Sequence, residues 1–136
     1  MKIGRRTRFW YKHLSNIGDC EIGEECVIHS HTWVGDGVKI GDRVKIQSFA
    51  FIPEGVIIGS DVFIGPHVCF VNDRNPPSSR DQWEETVVEN EAIIGANATI
   101  MCGITLGKGC MIGAGAVITK SVPPFETWVG NPARKL

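Results

Sequence analysis

The residues that could move a proton or hold a metal are few in this 136-residue chain. Imidazole is the side chain best suited to proton transfer near neutral pH, and the histidines are His13, His29, His31 and His67. The five cysteines contain no Cys-x-x-Cys pair and their number is odd, so neither a zinc ribbon nor a disulfide framework is indicated. We expect the thiols to be reduced.

A second set of reactive side chains lies in one polar segment, VNDRNPPSSRDQWEET at 71–86. It contains Asn72 and Asn75, and the paired prolines that follow are typical of an irregular loop. An asparagine amide donates and accepts hydrogen bonds but does not take up a proton at neutral pH. We therefore expect these asparagines to orient a substrate rather than to deprotonate it.

The elements that position these groups are indicated by a six-residue repeat. One column is aliphatic at all fourteen positions: Ile22, Ile28, Val34, Ile40, Ile46, Ile52, Ile58, Ile64, Val88, Ile94, Ile100, Leu106, Ile112 and Ile118. A second column, four residues later in each unit, is small or β-branched throughout, from Cys26 to Val122. A unit this short cannot bury its own apolar side chains, so the units must stack on one another.

Units such as VGDGVK, IGDRVK, IGSDVF and IGAGAV resemble the hexapeptide repeats of left-handed parallel β-helix proteins. In that family three hexapeptides form one triangular coil of 18 residues. The resemblance implies an all-β fold with a single domain, 1–136, of about five coils and an inserted loop at 71–87. Eight of the aliphatic residues are followed by glycine, which we expect to supply backbone angles that most side chains disfavour.

The C-terminal segments GAGAVITKSVPP and GNPARKL resemble the end of the hexapeptide acyltransferases that use acetyl-coenzyme A. In that family the cofactor lies in a groove between subunits of a homotrimer. The resemblance places Ala96 and Ala114 beside the pantetheine arm and pyrophosphate, and Thr119, Lys120 and Arg134 near the phosphates and adenine. Small residues 18 apart would leave backbone N–H groups open, and the two cations would bind phosphate oxygens.

The segment GPHVCFVNDRNPP resembles the loop of acetyltransferases that modify an amino group on a nucleotide-linked sugar for bacterial surface polysaccharides. This resemblance implies catalytic roles for Asn72 and Asn75 and substrate contacts for Asp73, Arg74, His31 and His67. Many relatives that act on hydroxyls carry a histidine base where this chain has Asn75. A neutral amine already has a nucleophilic lone pair, so the asparagine favours an N-acetyltransferase.

Other functions remain open at this stage. One is a sugar O-acetyltransferase, and another is a catalytically silent scaffold. A third is a metal hydrase, because His31 and His67 match the spacing of two of the three zinc ligands in the γ-class carbonic anhydrases, with Asn72 at the third position. Two coils separate the histidines by ~10 Å, too far to share a metal within one subunit, so no metal is expected.

Composition limits the partners. The formal net charge of −1 argues against nonspecific binding of nucleic acid or membranes, and no apolar run reaches the length of a signal or membrane span. We expect a cytoplasmic protein. Five aromatic residues outside the inward columns are expected to cover subunit interfaces or the sugar nucleotide: Trp33, Phe49, Phe51, Trp83 and Trp128.

Overall fold

Three parallel sheets form the faces of a triangular prism in the computed structural model, which describes all residues, Met1–Leu136. The strands of face A are Lys2–Ile3, Glu21–Ile22, Lys39–Ile40, Val56–Ile58, Thr86–Val88 and Thr105–Leu106. Those of face B are Arg8–Phe9, Val27–Ile28, Lys45–Ile46, Phe63–Ile64, Ile93–Ile94, Met111–Ile112 and Thr127–Gly130, which also pairs antiparallel with Ala133–Lys135. Those of face C are Asn16–Ile17, Trp33–Val34, Phe51–Ile52, Cys69–Phe70, Thr99–Ile100 and Val117–Ile118. The fold is therefore the expected all-β, left-handed parallel β-helix.

The interior of the prism is built from the two predicted columns. All fourteen aliphatic residues and all fourteen small or β-branched residues are buried, and Phe70 joins them as a further inward residue. The strands are only two to four residues long, so stability comes from this stacked apolar core. Trp128 departs from its predicted place on an outer surface, because it packs partly buried against the core.

The number of coils is larger than predicted. Faces A and C each contain six strands and face B contains seven parallel ones, which makes six complete coils and part of a seventh rather than about five. The six-residue repeat did not predict the first coil, from Lys2 to Ile17, because a 3₁₀ helix at Lys12–Leu14 interrupts its corner between faces B and C. Phe70 completes the face C strand of the fourth coil, and Thr127–Gly130 belongs to the seventh coil.

The glycines that follow the aliphatic residues have a different purpose from the one predicted. None of them has a positive φ; the left-handed residue lies two positions later at each corner, for example Arg43 with φ 55°. The glycines are instead needed because successive coils approach closely. A Cβ on Gly95 would lie 2.6 Å from the backbone N of Ala114, closer than real Cβ atoms come.

The inserted loop lies between faces C and A and is shorter than predicted at its C-terminal end. The strand Thr86–Val88 has already rejoined face A, so the irregular segment is 71–85, with a 3₁₀ helix at Arg80–Gln82. Ile58 pairs with Val88, thirty residues later, where the regular coils pair residues eighteen apart, as Ile40 does with Ile58. The insertion therefore adds twelve residues to an otherwise regular coil. None of the helices is long or apolar enough to span a bilayer.

Candidate active site

The loop is anchored to the prism through Asn72. Its side-chain Nδ2 donates a 2.9 Å hydrogen bond to the backbone oxygen of Glu54, eighteen residues earlier and so one coil below. The backbone oxygen of Asn72 accepts a 2.9 Å bond from the N–H of Glu84 at the other end of the loop. These two contacts hold Asn72 half-buried and leave its side-chain Oδ1 as an acceptor.

Arg74 is exposed, but two of its guanidinium nitrogens are held by hydrogen bonds. Nε and Nη2 donate to the carboxylate of Glu84 at 2.7 and 3.2 Å, and Nη2 also donates to the backbone oxygen of Cys102 at 2.8 Å. The Arg74 guanidinium holds the pKa of Glu84 below its ordinary value. The predicted substrate contact of Arg74 remains a prediction, and within the structure this residue ties the loop to the next coil.

Asp73 and Asn75 form the turn at the tip of the loop. The Asp73 carboxylate accepts hydrogen bonds from the hydroxyl of Ser78 at 2.6 Å and from its backbone N–H at 2.8 Å. These bonds from Ser78 lower the pKa of Asp73. The Asn75 residue is exposed. Of the two predicted asparagines, only Asn72 lies in a cavity wall.

That cavity, which we call the Trp33 groove, lies between the loop and the edge of face C and measures about 380 Å³. It is lined by Trp33, Gly35, Asp36, Phe51, Pro53, Glu54, Asn72 and Trp83. The rings of Trp33 and Phe51 lie 6.0 Å apart. Sequence reasoning missed Asp36, Pro53 and Glu54, although the eighteen-residue period places Glu54 directly beneath Asn72.

His31 and His67 lie at the corner between faces B and C, separated by a ring. Phe49 stacks between the two imidazoles, with centroid distances of 4.9 Å to each and interplanar angles of 14° and 8°. The predicted vertical alignment is therefore present, and Phe49 fills the space that a shared metal would need. No location in the structure brings together three side chains of His, Cys, Asp or Glu that could hold a metal.

Higher on the same corner, Ala96 and Ala114 form an open backbone edge. They are stacked, since the N–H of Gly115 donates to the oxygen of Ala96 at 2.8 Å. At the corner between faces A and B, the equivalent amide of Asp42 is capped by the hydroxyl of Ser60, one coil above, at 3.0 Å. Alanine offers no such acceptor, and neither Ala96 nor Ala114 donates a backbone hydrogen bond.

The remaining predicted cofactor residues are not contiguous with this edge within one subunit. Thr119 and Lys120 follow the face C strand Val117–Ile118, whereas Ala114 precedes it, so they occupy opposite edges of that face. Arg134 lies in the terminal hairpin on face B. Lys120 and Arg134 form no ion pair, in contrast to Lys135, which lies 3.5 Å from Glu126. Both free cations are exposed.

Comparison with known proteins agrees with this architecture. The family model described as bacterial transferase hexapeptide, with six repeats, matches residues 37–71 and 85–120, just over half of the chain. The 2,3,4,5-tetrahydropyridine-2,6-dicarboxylate N-acetyltransferase of Staphylococcus aureus is 34% identical over 74 residues, which are 54% of this chain. This chain matches only 29% of that curated relative's length.

Two solved structures share the fold. The acetyltransferase domain of PglB from Neisseria gonorrhoeae is 24% identical with a TM-score of 0.82, covering 96% of this chain and 57% of that one. PerB from Caulobacter crescentus, solved with coenzyme A and GDP-perosamine, is 18% identical with a TM-score of 0.77, covering 99% and 57%. With its stacked hexapeptide units, inserted loop and family-model match, the chain belongs to the bacterial hexapeptide-repeat transferases.

Proposed function

We propose that this protein transfers the acetyl group of acetyl-coenzyme A to the amino group of a nucleotide-linked sugar, for surface polysaccharide synthesis. The observation that carries the proposal is the open backbone edge at Ala96 and Ala114, which offers two unpartnered N–H groups to an extended ligand. Lys120 and Arg134, without ion-pair partners, supply charge for phosphate oxygens. The perosamine N-acetyltransferase of Caulobacter crescentus, which shares this fold and was solved with coenzyme A and GDP-perosamine, supports the same substrates.

In this proposal Asn72 positions the acceptor. Its Nδ2 is held by Glu54, so Oδ1 accepts a hydrogen bond from the substrate amine and directs the nitrogen lone pair. A bond forms between that nitrogen and the acetyl carbon as the carbon–sulfur bond breaks. The electrons of the broken bond leave with the thiolate, and the surplus proton on nitrogen passes to that thiolate or to solvent. Asn75 serves as a second positioning group, with Asp73, Arg74, His31 and His67 around the acceptor.

We also propose that the active unit is a homotrimer. Ala114 and Lys120 lie at opposite edges of face C. A cofactor that contacts both the open backbone edge and the cation is therefore more easily held between neighbouring subunits. Exposed apolar side chains on face B, such as Ile93 and Met111, offer surface for such contacts. A cytoplasmic location fits the five free cysteines and the proposed substrates.

Thiol release tests the proposal. Purified protein is incubated with acetyl-coenzyme A and a panel of UDP-, dTDP- and GDP-linked amino sugars, GDP-perosamine included. We expect release with one of these acceptors and none with the counterpart whose amine is replaced by hydroxyl. Turnover of hydroxyl acceptors alone would overturn the N-acetyl assignment, and failure of the whole panel would overturn the function.

A further inference from the structure

Three aromatic side chains that line the Trp33 groove are exposed to solvent. Trp33, Phe51 and Trp83 are 47%, 40% and 37% exposed, although they come from two separate parts of the chain and converge on one cavity. Exposed apolar clusters on small proteins usually mark a binding surface. Aromatic walls with a few placed polar groups are typical of small-molecule sites.

The groove is formed before any ligand arrives. Arg80 of the loop pairs with the Glu54 carboxylate at 2.9 and 2.6 Å, and Asn72 bonds to the Glu54 backbone. These contacts join the loop to the prism at two residues that precede Trp83 and hold this wall of the cavity in place. A cavity of about 380 Å³ is at the small end for ligand sites and suits a single ring.

The net charge of the groove favours a ligand that carries a positive charge. Glu54 is neutralised by its ion pair with Arg80, whereas Asp36 forms no ion pair. One oxygen of Asp36 accepts the backbone N–H of Asp19 at 2.8 Å, which leaves the other free to face a ligand. Arg80 also exerts an electrostatic influence on Asp36, but its guanidinium is held by Glu54. One carboxylate in excess attracts an ammonium group and repels phosphate.

We propose that the Trp33 groove binds the amine-bearing sugar ring of the acceptor, with the apolar ring face against Trp33 and Trp83 and the ammonium group toward Asp36. The diphosphate and nucleoside then lie outside the groove. This inference rests on the proposed function and adds the residues that choose the acceptor. Asp36 binds the ammonium form, and the ammonium group loses its proton to solvent before the neutral amine attacks.

The charge is tested by Asp36→Asn with Asp42→Asn as matched control. Both aspartates cap the backbone N–H of the coil below at 2.8 Å, and asparagine keeps that bond in either place. We expect Asp36→Asn to raise KM for the best amino-sugar nucleotide of the panel about tenfold, with KM for acetyl-coenzyme A unchanged. The KM for the acceptor should be unchanged in Asp42→Asn. Inhibition by the hydroxyl counterpart should be the same in Asp36→Asn as in the unsubstituted protein. Equal effects of the two variants would overturn the proposal.

The aromatic wall is tested by Trp83→Ala with Trp10→Ala as control, since Trp10 is an exposed indole of the first coil that lies outside the groove. We expect only Trp83→Ala to raise acceptor KM. Light scattering accompanies both variants, because a changed oligomer in Trp83→Ala with unchanged KM would show that another copy of the chain covers the groove and overturn the proposal.

Saturation-transfer NMR with methyl glycosides of 2-, 3- and 4-amino hexoses separates this inference from the proposed function. Binding by one of them that Asp36→Asn abolishes would support the groove even if no nucleotide-linked sugar turned over. Turnover of an acceptor while none of the glycosides bound would overturn the groove alone.

Discussion

The side-chain amide of Asn72 donates a 2.9 Å hydrogen bond to the backbone oxygen of Glu54, one coil below it. This contact settles the direction of the amide group, since Nδ2 faces the prism and Oδ1 is left to accept from a ligand. It also makes Asn72 an anchor of the loop. A variant at this position therefore changes both the site and the loop that forms it.

Asn72→Ala should lower kcat in thiol release by about 5- to 150-fold, because a positioning hydrogen bond contributes ~1 to 3 kcal/mol. Asn75→Ala is expected within the same range. Hydrogen exchange of the loop in each variant separates lost anchoring from lost substrate contact. Full activity in both variants would contradict the role assigned to the asparagines.

His31→Ala and His67→Ala should each cost less than tenfold in kcat, because their rings stack on Phe49 and neither is needed as a base. The rate should rise with pH through the pKa of the substrate amine in both variants. A loss of ~10² to 10⁴ together with a lost pH inflection would identify that histidine as a general base and reject the mechanism.

Ala114→Ser should weaken acetyl-coenzyme A binding. A hydroxyl at this position can cap the N–H of Ala96, as Ser60 caps Asp42 at 3.0 Å, and thereby close the open edge. Asn90→Ser is the control, since it places a hydroxyl at the equivalent position of the corner between faces A and B, where Asn90 already caps the N–H of Ser60 at 2.8 Å. Steady-state kinetics should show a higher KM for acetyl-coenzyme A in Ala114→Ser only. An equal KM in both variants would refute this reading of the edge.

Lys120→Ala and Arg134→Ala should raise KM for acetyl-coenzyme A and leave kcat nearly unchanged, because phosphate contacts are distant from the thioester. Lys135→Ala serves as control, since Lys135 is paired with Glu126. A collapse of kcat at constant KM in either test variant would contradict the cofactor assignment.

Acid should release the loop. Glu84 has a lowered pKa because of Arg74, so its contribution to stability is fully present above its ordinary value of 4.5 and is lost as pH falls through the lowered pKa. The exchange protection of the Glu84 N–H should follow that course. Glu84→Gln should lack the transition, and Glu85→Gln, an exposed neighbour, should retain it. If the exchange protection of this N–H still fell with acid in Glu84→Gln, the transition would belong to a different titrating group.

The periodic part of the molecule was determined by sequence alone. Because each hexapeptide buries the same two positions, the phase from Ile22 to Ile118 predicted the inward residues of the regular coils, apart from Phe70, and the stacking of Ala96 on Ala114. The same period predicted the alignment of His31 and His67. The six-residue repeat is irregular in the first coil, which contains a 3₁₀ helix, and the predicted number of coils was therefore too low.

Only the tertiary structure decided what surrounds the loop. An insertion of twelve residues has no repeat to set its path, so contacts distant in sequence determine where Asn72, Arg74 and Trp83 lie. The structure likewise shows why the glycines are needed. Successive coils approach closely, and this contact between backbones cannot be recognised within a single six-residue unit. Local period therefore determined the prism, and long-range hydrogen bonds and ion pairs determined the groove.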